Sequence, residues 1–279
     1  MTKLKYRFTN DVLCKMLFVK YQDLLKRLVA QILRIRLEDI EEFIITNPEI
    51  PPEVAGEKFC RLDISMKVNG KRVSLEVQIL DEGDYPERSL YYWAREYSSA
   101  LGEGKEYSNL PRVIVISILG FKLFRCAEFH SEFKPLEVTR HTPLTDKQVL
   151  HYFELPKLPE ISSADDELKL WLSLFKAKTE EELLKIKELG APIMEQAIEA
   201  YRQITATNEF KEIERLRSRA RHNEASALGH ARRELNKKWE KTVAKKDAIH
   251  AKTVAEKDAV LAEKDALIAE LRARLSEDK

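Results

Sequence analysis

Two carboxylates facing each other across a β-hairpin need a physical reason, and the stretch Cys60–Ile79 contains such a pair. Asn69-Gly70 lies between two alternating runs, the strongest short-range signal for a two-residue hairpin turn. Counting outward from Val68 and Lys71 pairs Met66 with Val73, Ile64 with Leu75 and Leu62 with Val77, an apolar face throughout. The other face pairs Lys67 with Arg72, Ser65 with Ser74 and Asp63 with Glu76, while Gln78 falls opposite Arg61. Directly opposed side chains sit roughly 4.5–5.5 Å apart at Cβ, where like charges destabilise a sheet. A divalent cation between Asp63 and Glu76 removes that repulsion. Hard oxygen ligands of this kind suit Mg²⁺ or Mn²⁺ and leave positions for water and a phosphate. The ion then lowers the pKa of a bound water and neutralises charge on a phosphodiester oxygen. Gln78, two residues on and on the same face, can hold a water or a phosphate oxygen but is no strong base. A solvated polar face, with Lys67 and Arg72 nearby, accounts for the same spacing, and spacing alone does not choose between the two readings.

The elements around the hairpin follow from pattern. Thr9-Asn10-Asp11 forms an N-cap cluster ahead of Val12, Leu13, Met16, Leu17 and Phe18, and a second helical pattern runs from Leu24 to Leu33. Phe43–Thr46 reads as a short strand, ended by the prolines of 48–52. A helix is predicted from Pro86 to Leu101, with Gly102 and Gly104 at its end and Arg88 and Tyr92 one turn apart. Val113–Leu119 is nearly continuous in apolar character, as expected of a strand covered on both faces. Further strands are expected at Phe133–Thr139 and Val149–Leu155. The sequence thus predicts a mixed α/β domain over residues 1–158, a helical segment over 159–207 and a long helix over 208–279. In the middle segment Ser163 precedes an apolar helix, Thr179 and Glu182 make a capping box, and Pro192 opens a third helix.

From Asn208 onward the chain has no proline and one glycine, Gly229. Residues 241–251 recur at 252–262, a period of 11, and Lys257-Asp258-Ala259 returns seven residues later. These periods lie on either side of the 3.6-residue helical turn. The resulting thin apolar seam is read as a coiled coil pairing with a copy of itself, a homodimer; a solitary charged helix is the alternative.

Composition removes several classes of function. A net charge of +1 gives no whole-chain field toward nucleic acid, so a binding surface must be a local patch. Three widely spaced cysteines give neither a disulfide framework nor a zinc spacing. His130, His141 and His151 lack metal-ligand spacing and are expected in core or solvent positions. No Walker loop or G-x-S-x-G elbow occurs, so neither a nucleotide cofactor nor a serine hydrolase is implied. The N-terminus lacks the apolar stretch of a signal peptide and the longest apolar run is too short for a bilayer, which predicts a cytoplasmic protein without a membrane partner.

The D-x12-E-x-Q pattern across a hairpin resembles the PD-(D/E)XK nuclease superfamily. Within it, the chain is similar to the recombination-promoting nuclease and transposase family. The resemblance rests on Asn10-Asp11 with Lys15 and Leu17-Phe18; Asn47-Pro48-Glu49; Arg61-Leu62-Asp63; Leu75-Glu76-Val77-Gln78; Arg88 with Tyr92; Gly104 with Tyr107; and Phe153-Glu154-Leu155-Pro156-Lys157. It implies a restriction-endonuclease-like αβββαβ core and a Mg²⁺-dependent DNA endonuclease. Asp63, Glu76 and the Val77 carbonyl would be metal ligands, joined by Asp11 from the first helix, for which a favourable first-turn charge is the other reading. Gln78 stands where the superfamily has lysine, and Leu62 where it has proline. DNA contacts would come from Lys67, Arg72, Arg88 and Tyr92 and from the segment Arg215–Arg221; packing or salt bridges are the other reading of Arg88 and Tyr92. A protein of another class, a scaffold that binds DNA and recruits partners through its coiled coil, fits the same tail.

Overall fold

Asn69 and Gly70 both take positive φ, 47° and 73°, the conformation that a type I′ turn demands of its two central residues. The Asn69 side chain fastens this turn to the preceding loop. Its Oδ1 accepts from the Glu41 and Glu42 amides, both at 3.0 Å, and its Nδ2 donates to the Asp39 carbonyl at 2.7 Å. The computed structural model describes residues 2–47, 64–101, 104 and 106–277. It joins β2 (Ile64–Val68) to β3 (Lys71–Gln78) in the expected register, Val68 against Lys71, Met66 against Val73 and Ile64 against Leu75.

That hairpin is the centre of a six-stranded mixed sheet of order β1-β2-β3-β4-β6-β5. β1 (Phe43–Ile45) is antiparallel to β2. β3 and β4 (Val113–Leu119) are parallel, as are β4 and β6 (Gln148–Glu154), and β5 (His130–Phe133) closes the far edge antiparallel to β6. α1 (Asp11–Lys20) and α2 (Gln22–Leu33) precede the sheet, and α3 (Tyr85–Ser98) makes the crossover from β3 to β4. The chain order therefore contains the predicted αβββαβ sequence of elements.

Alternation gives the sheet two unlike faces. On one, Ile64, Met66, Val73, Leu75, Ile114, Ile116, Val149 and Phe153 are buried against α1 and α2. The same cluster takes in Trp171 of α4 (Glu167–Lys176), Leu183 of α5 (Glu180–Glu188), Ala197 of α6 (Pro192–Ala206) and Phe210 near the start of α7 (Asn208–Glu277). The other face carries a much smaller apolar cluster under α3, of Tyr85, Val115, Leu119, Leu150 and Tyr152.

The caps follow the sequence closely at three places. Asn10 Oδ1 accepts from the Leu13 amide at 2.8 Å, Thr179 and Glu182 form the capping box, and Pro192 is the first residue of α6. Two expectations are corrected. The strand predicted at Phe133–Thr139 lies instead at His130–Phe133; Pro135 has no amide to donate, and the Glu137 carboxylate turns the chain by accepting from the Thr139 and Arg140 amides. The helix predicted to reach Leu101 ends at Ser98. Its last turn is closed by Arg72, whose Nη1 donates to the Glu96 carbonyl at 3.1 Å and to Ser99 Oγ at 2.9 Å.

The chain divides into two units, Met1–Leu216 and Arg217–Lys279, the second formed by the continuation of α7. Among the described residues, no helix is long and apolar enough to cross a membrane.

Candidate active site

Glu76 and Gln78 project from the end of β3 on the face that α3 covers. Glu76 is buried at 6% exposure, and Gln78 is half-buried. Directly across the parallel pair, on the same face, Glu76 is level with Ser117, the one hydroxyl in the apolar strand β4. Tyr85, the first residue of α3, is 2% exposed and donates its hydroxyl to Ser117 Oγ at 2.9 Å. Burial, and after it the nearby Glu76 charge, hold the Tyr85 phenol far above its usual range. A second buried pair, Ser89 and Tyr152 at 2.6 Å, continues the polar strip, and burial also raises the Tyr152 phenol. A strip of paired hydroxyls thus runs along the face that carries Glu76.

Gln78 is oriented locally. Its Nε2 donates to the Leu80 carbonyl at 2.8 Å, which leaves Oε1 as the acceptor atom of the amide. Its backbone carbonyl accepts from the Gly120 amide at 2.8 Å. At Gly120 a Cβ would stand 2.9 Å from the Ile79 carbonyl oxygen, so glycine alone permits β3 and β4 to remain this close beyond Gln78.

Arg88 is drawn into the same neighbourhood. Its guanidinium lies over the Tyr85 ring at 5.1 Å and pairs with Glu82 at 2.7 Å. Tyr92, one turn further on α3, is half-buried beside Tyr91, their ring centroids 6.4 Å apart. Asp11 is half-buried as the first residue of α1, and its Oδ1 accepts from the Val12 amide at 3.0 Å. Lys67 and Arg72 belong to the other end of the hairpin. Arg72 stands four residues before Glu76, about 13 Å along the strand, and is bound to the end of α3. Lys67 is exposed beside it on the ladder. Asp63 and Arg61, with the pairs expected of them, lie outside the described residues. Among the described residues, no group of three or more His, Cys, Asp or Glu side chains could hold a metal ion.

The segment Phe153–Lys157 has a different role from Glu76. The Glu154 side chain is fully buried and accepts from the Leu123 and Phe124 amides at 2.6 and 3.1 Å. Lys157 closes the arrangement, 2.6 Å from Glu154 and 2.9 Å from the Phe124 carbonyl. Burial pulls the Lys157 ammonium down, but the hydrogen bond and charge of Glu154 outweigh it and the pKa rises. This ion pair holds the loop after β4 in place. Its charge is consumed in doing so.

The three histidines divide between core and solvent. His151 is buried, with Nδ1 3.0 Å from His130 Nε2, and His141 is exposed with φ of 56°. Tyr85, Ser89, Ser117 and Tyr152 are the residues that sequence reasoning missed. Ser117 was the available signal, a lone hydroxyl inside the run Val113–Leu119.

A family model described as PD-(D/E)XK nuclease family transposase matches residues 8–231 of the chain. No curated protein and no solved structure matches it.

Proposed function

We propose, on the premise that this chain belongs to the PD-(D/E)XK nuclease family transposases, that it is a divalent-metal-dependent DNA endonuclease of the cytoplasm. The observation that supports this most is the position of Glu76 and Gln78 together on the hydroxyl-lined face, in a hairpin whose register is fixed up to Ile64 and Leu75. The sequence count expects Asp63 opposite Glu76, at a position outside the described residues. Oxygen donors are the right chemistry for Mg²⁺ or Mn²⁺. Asp63, Glu76 and the Val77 carbonyl would hold the ion, with Asp11 a candidate fourth ligand. The bound ion supplies a water of lowered pKa and neutralises charge on the phosphate.

The chain's own residues do the rest. The Gln78 Oε1 orients a water proton, and its amide nitrogen stays engaged with Leu80. Ser117, level with Glu76 on β4, and Tyr85, which donates to Ser117 from α3, supply hydroxyls beside it. Arg88 and Tyr92 on α3, Lys67 and Arg72 on the hairpin, and Arg215–Arg221 in the tail bind backbone phosphates, which position a duplex without reading its sequence. Self-association through α7 brings two such sites into one assembly.

Plasmid cleavage with Mg²⁺ or Mn²⁺ tests the site directly. Glu76→Ala and Asp63→Ala should each lower the rate on the order of 100-fold or more, with circular dichroism unchanged, and each should abolish the thermal shift that Mn²⁺ gives the parent protein. Equal cutting by parent and variants overturns the site. Metal-independent DNA binding without strand breaks in any of them would instead favour the scaffold reading.

A further inference from the structure

Along α7 the charges are sorted by sign. Residues 217–246 carry ten Lys or Arg and three Glu, whereas residues 247–277 carry five Lys or Arg and seven Asp or Glu. The sorting is sharpest on one stripe. Lys238, Lys245 and Lys252 recur every seven residues, and after a step of four the stripe continues as Glu256, Glu263 and Glu270. Seven residues advance an α-helix by nearly two turns, so these six positions fall within about 40° of one another around the axis. Lys252 and Glu256 mark the crossover, with Lys252 Nζ 3.9 Å from Glu256 Oε1.

Beside this stripe runs a row of large apolar side chains. Leu228, Leu235, Trp239, Ile249, Val260 and Leu267 are each at least half exposed. A row of this length, covering less than a third of the helix circumference, is a surface that a paired helix would bury as its seam.

We propose that the occupant of this seam is a second copy of α7 running antiparallel, an orientation that rests on the self-association reading above. Reversing the direction turns the sorted stripe into its own complement. Lys245 of one chain comes level with Glu263 of the partner subunit and Lys252 with Glu256 of the partner subunit, and the same sum of positions carries Lys238 to position 270. Symmetry doubles each pair. The reversal also brings Trp239 within about 3 Å along the axis of Leu267 of the partner subunit. A parallel, in-register copy carries the two stripes to opposite sides of the seam, where the sorted charges do not meet; only the antiparallel arrangement sets stripe against stripe. Antiparallel pairing separates the two N-terminal ends of the helices, so the DNA-cutting units attached there do not meet through this seam.

Cysteine cross-linking reads the orientation without reference to DNA. In full-length chain with Cys14, Cys60 and Cys126 changed to Ser, Lys245→Cys and Glu263→Cys are made separately and also coexpressed, then oxidised. Antiparallel pairing predicts a 245–263 disulfide between chains in the coexpressed sample, at least tenfold more abundant than any dimer in either variant alone. Absence of the mixed product, with a dimer mass retained in sedimentation equilibrium, would overturn the orientation while leaving self-association intact. A monomer mass for the parent protein in sedimentation equilibrium would overturn self-association itself, and this inference with it. Helix content by circular dichroism shows whether each variant retains α7.

Discussion

Replacing Gly120 by alanine tests whether the close approach of β3 and β4 supports the candidate site. The added Cβ would stand 2.9 Å from the Ile79 carbonyl oxygen and 3.0 Å from Ile79 Cα, against 3.4 Å for ordinary contact. Both obstacles are backbone, so neither can rotate away. Relief requires the end of the parallel pair to open by about half an ångström, which strains the Gly120 amide to Gln78 carbonyl bond of 2.8 Å. Overpacking of this kind costs about 1–3 kcal/mol, and a weakened backbone hydrogen bond up to about 1 kcal/mol more. Taking about 2 kcal/mol in total, the thermal midpoint should fall by roughly 4–8 °C for a unit of this size. Differential scanning calorimetry measures it. DNA cleavage should fall more than stability predicts, because Gln78 is the residue the opening displaces. A midpoint within about a degree of the parent, with unchanged cleavage, would refute the claim that Gly120 sets this spacing.

Two further outcomes follow from other parts of the fold. Burial first, then the charges of His130, Lys134 and Arg34, push His151 down to about 4 against the opposing Glu132 carboxylate. A histidine lowered on folding binds its proton more readily in the unfolded chain, so stability should decline as pH falls from 6.5 toward 4, by up to roughly 3 kcal/mol. Urea unfolding across that window checks it, and His151→Phe should flatten the slope whatever its effect on stability at neutral pH. In α7, a Cβ on Gly229 would meet only Arg233 Nη1, at 3.7 Å. Gly229→Ala should therefore stabilise the helix by about 0.5–1 kcal/mol, seen as a higher melting temperature of the 222 nm signal; a lower one would mean that glycine serves close helix contact there.

Signals that depend on a few adjacent residues were legible in the sequence. Asn69-Gly70 with alternation on both sides gave the hairpin and its register, and the unbroken apolar run gave β4. The capping box at Thr179 and the composition after Asn208 gave α5 and α7. What escaped was decided by partners distant in sequence. α3 stops at Ser98, where Arg72 on the hairpin donates to the Glu96 carbonyl and the Ser99 hydroxyl, so the downstream glycines were the wrong marker. β5 uses His130–Phe133, which has little strand character of its own, because β6 offers an edge there. Phe153–Lys157 could be recognised as a motif, but only the loop amides of Leu123 and Phe124 show that Glu154 is structural. The hydroxyl strip around Glu76 draws one residue from β4, one from β6 and two from α3, a combination that no local pattern announces.

The unequal faces of the sheet also bear on how the molecule breathes. Residues on the α1 and α2 side share one large core, so loosening any of them draws on the stability of the whole unit. α3 rests on four buried residues of the sheet face, Val115, Leu119, Leu150 and Tyr152, and is tethered by Tyr85 at one end and by Arg72 at the other. Such an element can detach in a sub-global opening that leaves the remaining core folded. Its amides should then exchange with solvent by a route of their own, well before those of β4 beneath it. The cover over Glu76 is, in that sense, the part of the unit with the least to lose by moving.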